Sequence, residues 1–132
     1  MGASGSKSVA FDPKTDIPSL KDKVILVTGG SSGLGTQSIL EFARHEPKEI
    51  WLGARSATKA QAAIDDIKAK VPNAAVKFVQ MELGSFASIR TAAKTVLDST
   101  DRLDILLLNA GIMAVPPAAT EEGYELQFGT NH

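Results

Sequence analysis

A glycine-rich turn between an apolar run and a helical pattern is the feature of this 132-residue sequence that most constrains its fold. The apolar run is Val24–Val27, the turn Thr-Gly-Gly-Ser-Ser-Gly-Leu-Gly spans residues 28–35, and the helical pattern covers residues 34–44. Glycines in such a turn let the chain reverse tightly, let the backbone approach a pyrophosphate, and let the helix pack close to the sheet. The segment therefore predicts a strand–turn–helix unit that binds the phosphates of a dinucleotide.

The rest of the chain repeats this alternation of strand and helix. Apolar runs predict strands and 3.6-residue patterns predict helices; the strands are expected at 24–27, 50–52, 76–81 and 103–108, and the helices at 34–44, 58–70 and 86–97. Alternating strands and helices are typical of a parallel sheet with crossover helices. The predicted fold class is therefore α/β, a Rossmann-type doubly wound parallel sheet.

Both ends of the chain depart from this pattern. Residues 1–20 are rich in Gly, Ser and Pro without apolar periodicity, which predicts a flexible N-terminal arm preceding a domain at 21–132. Thr120 is expected to cap a last helix, favoured by the following glutamates. Because that helix has no C-terminal signal, we expect an incomplete domain, truncated after the fourth strand and the start of the next helix.

Composition excludes several classes of function. The 14 Lys and Arg residues against 15 Asp and Glu residues give a net charge of −1, so the basic excess of a nucleic-acid-binding protein is lacking. With no cysteine and only His45 and His132, we expect no metal site. The apolar stretch 105–119 contains Asn109 and two prolines and falls short of the about 20 residues of a transmembrane helix, so no membrane span is expected.

The N-terminus bears on location. It lacks the charged start and apolar centre of a secretory signal, which together with the absence of cysteine indicates a cytoplasmic protein. Residues 1–6, Met-Gly-Ala-Ser-Gly-Ser, also fit the N-myristoylation pattern at Gly2. A plain Gly/Ser arm without an acyl chain is the alternative.

The turn supplies the candidate phosphate-binding residues. Backbone N–H groups at the start of the following helix, with two serine hydroxyls, can donate to phosphates; the residues are Gly29, Ser31, Ser32, Gly33, Leu34 and Gly35. A nucleoside-triphosphatase loop would require a lysine after its last glycine, where this chain has Thr36. That class is excluded.

The end of the second strand indicates which dinucleotide is bound. Enzymes that select NAD place a carboxylate there for the ribose 2′-hydroxyl. Here the residues are Gly53-Ala54-Arg55, and a guanidinium can instead bind a 2′-phosphate through two hydrogen bonds. Arg55 therefore favours NADP, with Lys59 as a second positive charge; an ordinary surface arginine is the alternative interpretation.

Residues 20–132 resemble the short-chain dehydrogenases/reductases. The resemblance rests on the Thr-Gly-x-x-x-Gly-x-Gly turn at 28–35 and on Asn109-Ala110-Gly111 after the fourth strand. Residues 124–132, Tyr-Glu-Leu-Gln-Phe-Gly-Thr-Asn-His, are similar to the retinol-dehydrogenase-like branch. The resemblance implies an oxidoreductase that transfers hydride between NADP(H) and a small carbonyl or alcohol substrate.

The resemblance also implies roles for individual residues. Asn109, Ala110 and Gly111 would lie against the cofactor ribose, and Asn131 would match the asparagine of the family's Asn-Ser-Tyr-Lys catalytic set. Glu82, next to Leu83, takes the place of the usual aspartate at the end of the third strand and would contact the adenine.

The catalytic serine, tyrosine and lysine of that set do not occur here. The single tyrosine, Tyr124, has Phe128 four residues later where the family has its lysine. The sequence is therefore interpreted as the NADP(H)-binding portion of such an enzyme. The alternative is a non-catalytic nucleotide-binding or regulatory fragment that pairs with another chain, since a sheet ending at the fourth strand exposes an edge. Assembly as a homo-oligomer stays open.

Overall fold

The computed structural model describes residues 10–132 and contains a four-stranded parallel sheet. The strand order is β3-β2-β1-β4, and the strands are β1 Val24–Thr28, β2 Glu49–Ala54, β3 Val76–Gln80 and β4 Ile105–Leu107. The two central strands β1 and β2 are buried along their whole length, as suits strands covered on both faces, whereas the outer strands β3 and β4 are only partly buried. β4 is shorter than the predicted strand 103–108; just before it, Asp104 contacts Val24 of β1 through its side chain at 2.8 Å and through its N–H at 2.9 Å.

Five helices accompany the sheet among the described residues: α1 Pro13–Asp16, α2 Gly33–Ala43, α3 Ala57–Lys70, α4 Phe86–Ser99 and α5 Leu126–Asn131. Serine side chains fix two of the starts, since the Ser56 and Ser85 hydroxyls accept from N–H groups three residues later, each at 3.3 Å. The predicted α/β class and the Rossmann-type parallel sheet are confirmed.

The core has two layers, one on each face of the sheet. On one face α2 and α3 pack through Ile39, Ile64 and Ile67 against the buried β1 and β2 residues. On the other face α4 packs Ala92 and Val96 against Val24, Leu26, Trp51 and Val79. The sheet is therefore doubly wound, with Asp65 and Asp66 of α3 exposed to solvent as their helical spacing predicts.

The described part of the predicted arm differs from a flexible segment. Leu20 is buried in the core and Ile17 packs against it. The His45 ring nitrogen Nε2 lies 2.8 Å from the Pro13 carbonyl oxygen, and the Leu20 N–H donates to the His45 carbonyl at 2.9 Å. Apolar burial at Ile17 and Leu20 thus holds the segment although it lacks a repeating pattern. The myristoylation pattern at residues 1–6 lies outside the described residues.

The expectation that Thr120 caps the last helix is wrong. Glu125 is the N-cap of α5 and accepts from the N–H groups of Gln127 and Phe128 at 3.0 and 2.7 Å. Thr120 instead closes a turn, in which its hydroxyl accepts from the Tyr124 N–H at 3.2 Å. The Glu122 carboxylate binds the start of a different helix, since it accepts a hydrogen bond from the Phe86 N–H of α4 at 2.7 Å.

No helix within residues 10–132 combines the length and apolar character needed to cross a membrane.

Candidate functional site

A cleft of about 360 Å³ opens at the carboxyl ends of the four strands. The strand order reverses between β1 and β4, and ligands of open parallel sheets bind at such a switch point. Ten of the sequence-predicted residues line it together: Gly29, Ser31, Ser32, Leu34, Arg55, Glu82, Leu83, Asn109, Ala110 and Gly111. The sequence thus gathers residues from four separate segments at one edge of the sheet.

Six further residues line the cleft that the sequence analysis did not single out: Thr28, Gly53, Ala54, Met81, Ile112 and Thr130. Thr28, Ala54 and Met81 stand at or next to the carboxyl ends of β1, β2 and β3. Because parallel strands end at the same edge of a sheet, the position of these residues at predicted strand ends could have indicated that they line the cleft. Thr130 comes from α5, and no local pattern indicated it.

The glycine turn leaves the start of α2 open. Ser32 is the N-cap of α2 but makes no capping hydrogen bond through its side chain. The N–H groups of the first turn have no partner within a helix and are suited to an anion. Gly33 has φ +55°, and a Cβ added there would meet no atom within 4 Å. The backbone therefore faces open space where a phosphate could approach, which fits a dinucleotide.

Gly33 and Gly35 do not line the main cleft. Gly33 borders a neighbouring groove together with Lys59 of α3. Gly35 is buried, and a Cβ there would collide with the Gly29 carbonyl group and come within 2.7 Å of the Asn109 Nδ2 atom. Gly35 thus permits the close approach of α2 to the glycine turn and to the residue that follows β4.

Asn109 connects the end of β4 to the glycine turn. Its Nδ2 atom donates to the Thr28 carbonyl at 3.1 Å, and the next N–H, that of Ala110, donates to the Thr28 hydroxyl at 3.1 Å. The Asn109 amide therefore shapes the cleft by joining β1 and β4.

Arg55 and Glu82 stand opposite each other at the cleft. The Arg55 Nε atom lies 3.8 Å from Glu82 Oε2, with the two side chains 68% and 43% exposed. The other Glu82 oxygen accepts from the Gly84 N–H at 3.0 Å, and the Glu82 N–H donates to Ser88 Oγ at 2.9 Å. Glu82 is therefore fixed by its own loop, whereas Arg55 is a solvent-exposed cation within reach of a ligand.

Asn131 does not line the cleft but supports it. Its Nδ2 atom donates to the Ile112 carbonyl and its Oδ1 atom accepts from the Ile112 N–H, both at 2.8 Å. Both polar groups of the amide are thus engaged with the backbone of a cleft residue. In this arrangement Asn131 positions Ile112.

Tyr124 lies apart from these groups. It does not line the cleft, and its ring packs against Phe86 with centroids 6.0 Å apart. Within residues 10–132 there is also no cluster of three His, Asp or Glu side chains that could hold a metal ion.

Most of the chain, including the strands around the cleft, matches one protein family. The model of the family described as short chain dehydrogenase matches residues 23–129, which include the four strands and every cleft residue except Thr130. The chain belongs to the short-chain dehydrogenase family. Both the strand–glycine turn–helix unit and the segment Asn109–Gly111 lie within the part of the chain that this family model matches. The resemblance found in the sequence is thus confirmed at the level of the family.

Curated relatives support the same assignment within the short-chain dehydrogenases. The chain is 45% identical over 116 residues to the short-chain dehydrogenase/reductase drtF of Aspergillus calidoustus, covering 88% of this chain and 37% of the relative. It is 40% identical over 123 residues to human retinol dehydrogenase 13, covering 93% of this chain and 36% of the relative. The chain thus spans less than two-fifths of the length of these two relatives.

Solved structures show the same fold. A crystal structure of an uncharacterized protein from Mycobacterium paratuberculosis matches with a TM-score of 0.74 and 34% identity, covering 90% of this chain and 41% of the other. A metagenomic short-chain oxidoreductase in complex with NADP matches with a TM-score of 0.65 and 29% identity, covering 71% of this chain and 41% of the other. Family membership supports a nicotinamide cofactor for this cleft.

Proposed function

We propose that this chain is the NADP(H)-binding portion of an oxidoreductase that transfers hydride between NADP(H) and a carbonyl or alcohol substrate. The observation that carries the proposal is the cleft at the β1/β4 switch point, where the open start of α2 and the Arg55 guanidinium meet. An anion-binding helix start and a cation at the end of β2 together match a dinucleotide with an extra phosphate.

Each part of the cleft has a proposed role. The Ser31 and Ser32 hydroxyls and the first N–H groups of α2 would hold the pyrophosphate. Leu83 and Glu82 would border the adenine, and the segment Asn109–Gly111 would border the nicotinamide-side ribose. When bound, the nicotinamide ring supplies or accepts the hydride. The protein's contribution in this part of the fold is to orient the ring and to exclude water from one of its sides.

The choice of NADP over NAD is proposed on charge. β2 ends in Ala54 and is followed by Arg55, so the carboxylate that NAD-selecting enzymes place at the end of this strand is absent, although Glu82 after β3 faces the same guanidinium. Arg55 is exposed enough to turn from Glu82 to a ligand. The NADP complex of the metagenomic oxidoreductase supports the choice by similarity.

The chemical step itself is proposed for a protein of the length of the relatives. We propose that Asn131 contributes by holding Ile112. Proton transfer is proposed for the serine, tyrosine and lysine of the family set, which do not occur at the family's spacing in these 132 residues. A cytoplasmic location is part of the same proposal.

Equilibrium titration of the chain with NADPH and NADH, followed by cofactor fluorescence, tests the proposal. We expect saturable binding of both, with NADPH the tighter ligand. ADP-ribose should compete with either, since it carries the pyrophosphate without the nicotinamide. Equal affinities would contradict the NADP choice, and the absence of binding of either cofactor would contradict the proposed function.

A second candidate rests on a separate observation. Among the described strands, β4 pairs only with β1, and Leu106 and Leu108 are 51% and 74% exposed beside its free edge. Apolar side chains along an unpaired edge favour contact with another polypeptide. We propose as the alternative a non-catalytic nucleotide-binding or regulatory fragment that pairs with another chain, including a second copy of itself. Sedimentation equilibrium tests self-association, which we expect for the unmutated chain and to a lesser degree for Leu108→Lys. An unmutated chain that stays monomeric at all concentrations would contradict self-association.

A further inference from the structure

Two amide side chains of α5 contact the same loop at the edge of the cleft. Gln127 and Asn131 are four residues apart and so lie on one face of the helix. Asn131 binds both backbone groups of Ile112 at 2.8 Å, and Gln127 Oε1 accepts from the Ala114 N–H at 2.9 Å. The helix therefore holds the loop at two alternate residues.

Ala114 is held in an unusual conformation. Its φ is +55°, in the left-handed region that a residue with a Cβ adopts only at an energetic cost. Such strain persists only where the surrounding contacts impose it, and it is concentrated at functional sites. The Gln127 hydrogen bond is the side-chain contact that directs the Ala114 N–H in this conformation.

The strained residue stands close to the binding surface. Ile112, two residues earlier, lines the cleft next to Gly111, and the next residue of the loop, Met113, is exposed. Asn131 thus contacts the cleft residue itself, and Gln127 contacts the same loop two residues further on.

We propose that Gln127 is a positioning residue for the cofactor cleft: it fixes Ala114 in its left-handed conformation and, with Asn131, keeps Ile112 at the wall. The inference rests on the proposed function, since it assigns Gln127 to cofactor binding. Because the hydrogen bond is exposed to solvent, its loss changes the populations of the loop more than the stability of the domain.

The test uses Gln127→Met, which keeps side-chain length and helix propensity but removes the acceptor. We expect hydrogen exchange of the Ala114 amide to accelerate about 3- to 10-fold, and the Kd for NADPH to rise by about the same factor. Gln61→Met on α3 is the matched control. Gln61 bonds Asp65 of the same helix, and neither residue lines the cleft or the neighbouring groove, so both readouts should stay unchanged.

Two further variants separate positioning from general destabilisation. Gln127→Glu keeps an acceptor for the Ala114 N–H and should retain both slow exchange and NADPH affinity. Ala114→Gly removes the strain, so adding it to Gln127→Met should restore NADPH affinity at least in part, which no purely structural loss in α5 would allow.

The readouts distinguish the outcomes. If hydrogen exchange of the Ala114 amide is unchanged in Gln127→Met, Gln127 does not hold this residue and the proposal is wrong. If exchange is faster but the Kd for NADPH is unchanged, Gln127 has no positioning role in cofactor binding. If the unmutated chain fails to bind NADPH, the proposed function and the role in binding both fall, while the exchange measurement still reports whether Gln127 holds the loop.

Discussion

Arg55 and Glu82 follow two strands in direct register, Ala54 of β2 being paired with Gln80 of β3, and their charged groups meet with Nε 3.8 Å from Oε2. The carboxylate at the end of β3 thus faces the cation at the end of β2. A 2′-phosphate that binds Arg55 has to compete with Glu82 for it. On the proposed preference for NADP, substitutions of these two residues should therefore have opposite effects.

Arg55→Ala should remove most of the preference for NADPH over NADH. Loss of a charge-assisted hydrogen-bonded pair costs about 1.5 to 3 kcal/mol, or roughly a 10- to 150-fold weaker NADPH affinity, with NADH little affected. Parallel titrations of both cofactors measure this. Arg90→Ala, which removes an exposed arginine of α4, is the control for net charge. An equal loss for both cofactors would place Arg55 elsewhere than at the 2′-phosphate.

Glu82→Gln should act in the opposite direction. The amide oxygen can still accept from the Gly84 N–H, but the charge that faces Arg55 is gone. Exposed ion pairs are worth up to about 1 kcal/mol, so NADPH should bind up to about 5-fold more tightly. Titration at low and high salt checks the origin of the effect, because an electrostatic gain decreases as ionic strength rises. A weaker affinity would contradict this prediction and indicate that the negative charge of Glu82 favours binding rather than competes with the 2′-phosphate.

Gly33→Val should abolish cofactor binding more completely than it destabilises the domain. The valine side chain would project into the open space before α2, and its left-handed backbone should lower the free energy of unfolding by about 1 to 2 kcal/mol. Gly123→Val is the matched control, because Gly123 also has positive φ and open space around its Cβ position but lines neither the cleft nor the neighbouring groove that Gly33 borders. Urea unfolding and NADPH titration of both variants give the comparison. Retained binding in Gly33→Val would exclude this turn as the phosphate site.

The regular elements could be predicted because local and long-range preferences agree in them. Val24–Val27 and the spacing of Ala60, Ile64 and Ile67 predict buried elements from single windows of sequence. The residues around the glycine turn were found because each motif follows a strand of a parallel sheet, which brings them to one edge.

Most of the parts that were missed depend on contacts between residues that are distant in sequence. Thr120 looks like a helix cap, yet its hydroxyl accepts from Tyr124 in a turn, and the adjoining Glu122 caps α4, 36 residues away in sequence. The docking of Ile17 and the hydrogen bond of Asn131 to Ile112 are likewise set by tertiary structure. Apart from Thr120 and Tyr124, which are four residues apart, no local window of sequence contains both partners of these contacts.

Low pH should weaken the link between β1 and β4. Hydrogen bonds from Arg102 and from the Val24 N–H hold the pKa of Asp104 well below its usual range. A lowered native pKa contributes stability above the unfolded value of about 3.9, and this contribution is lost as pH falls toward the native value. Asp104→Asn should therefore be less stable at pH 7 and show a flatter decline between about pH 5 and pH 2 in urea unfolding. Asp66→Asn, on the exposed face of α3, should follow the unmutated protein.

The 132-residue chain by itself should show no turnover with NADPH and a carbonyl substrate, even where it binds the cofactor. Hydride delivery to a carbonyl leaves an alkoxide that needs a positioned proton donor, a contribution of typically about 10² to 10⁴ in rate. Asn131 cannot supply the proton because both polar groups of its amide are engaged with Ile112. Tyr124 does not line the cleft and has Phe128 where a lysine partner would stand. Turnover is measured as the change in NADPH absorbance at 340 nm with a series of ketones and aldehydes. Steady NADPH oxidation that depends on a ketone and disappears in Tyr124→Phe would contradict the prediction and show that another proton donor exists in this part of the fold.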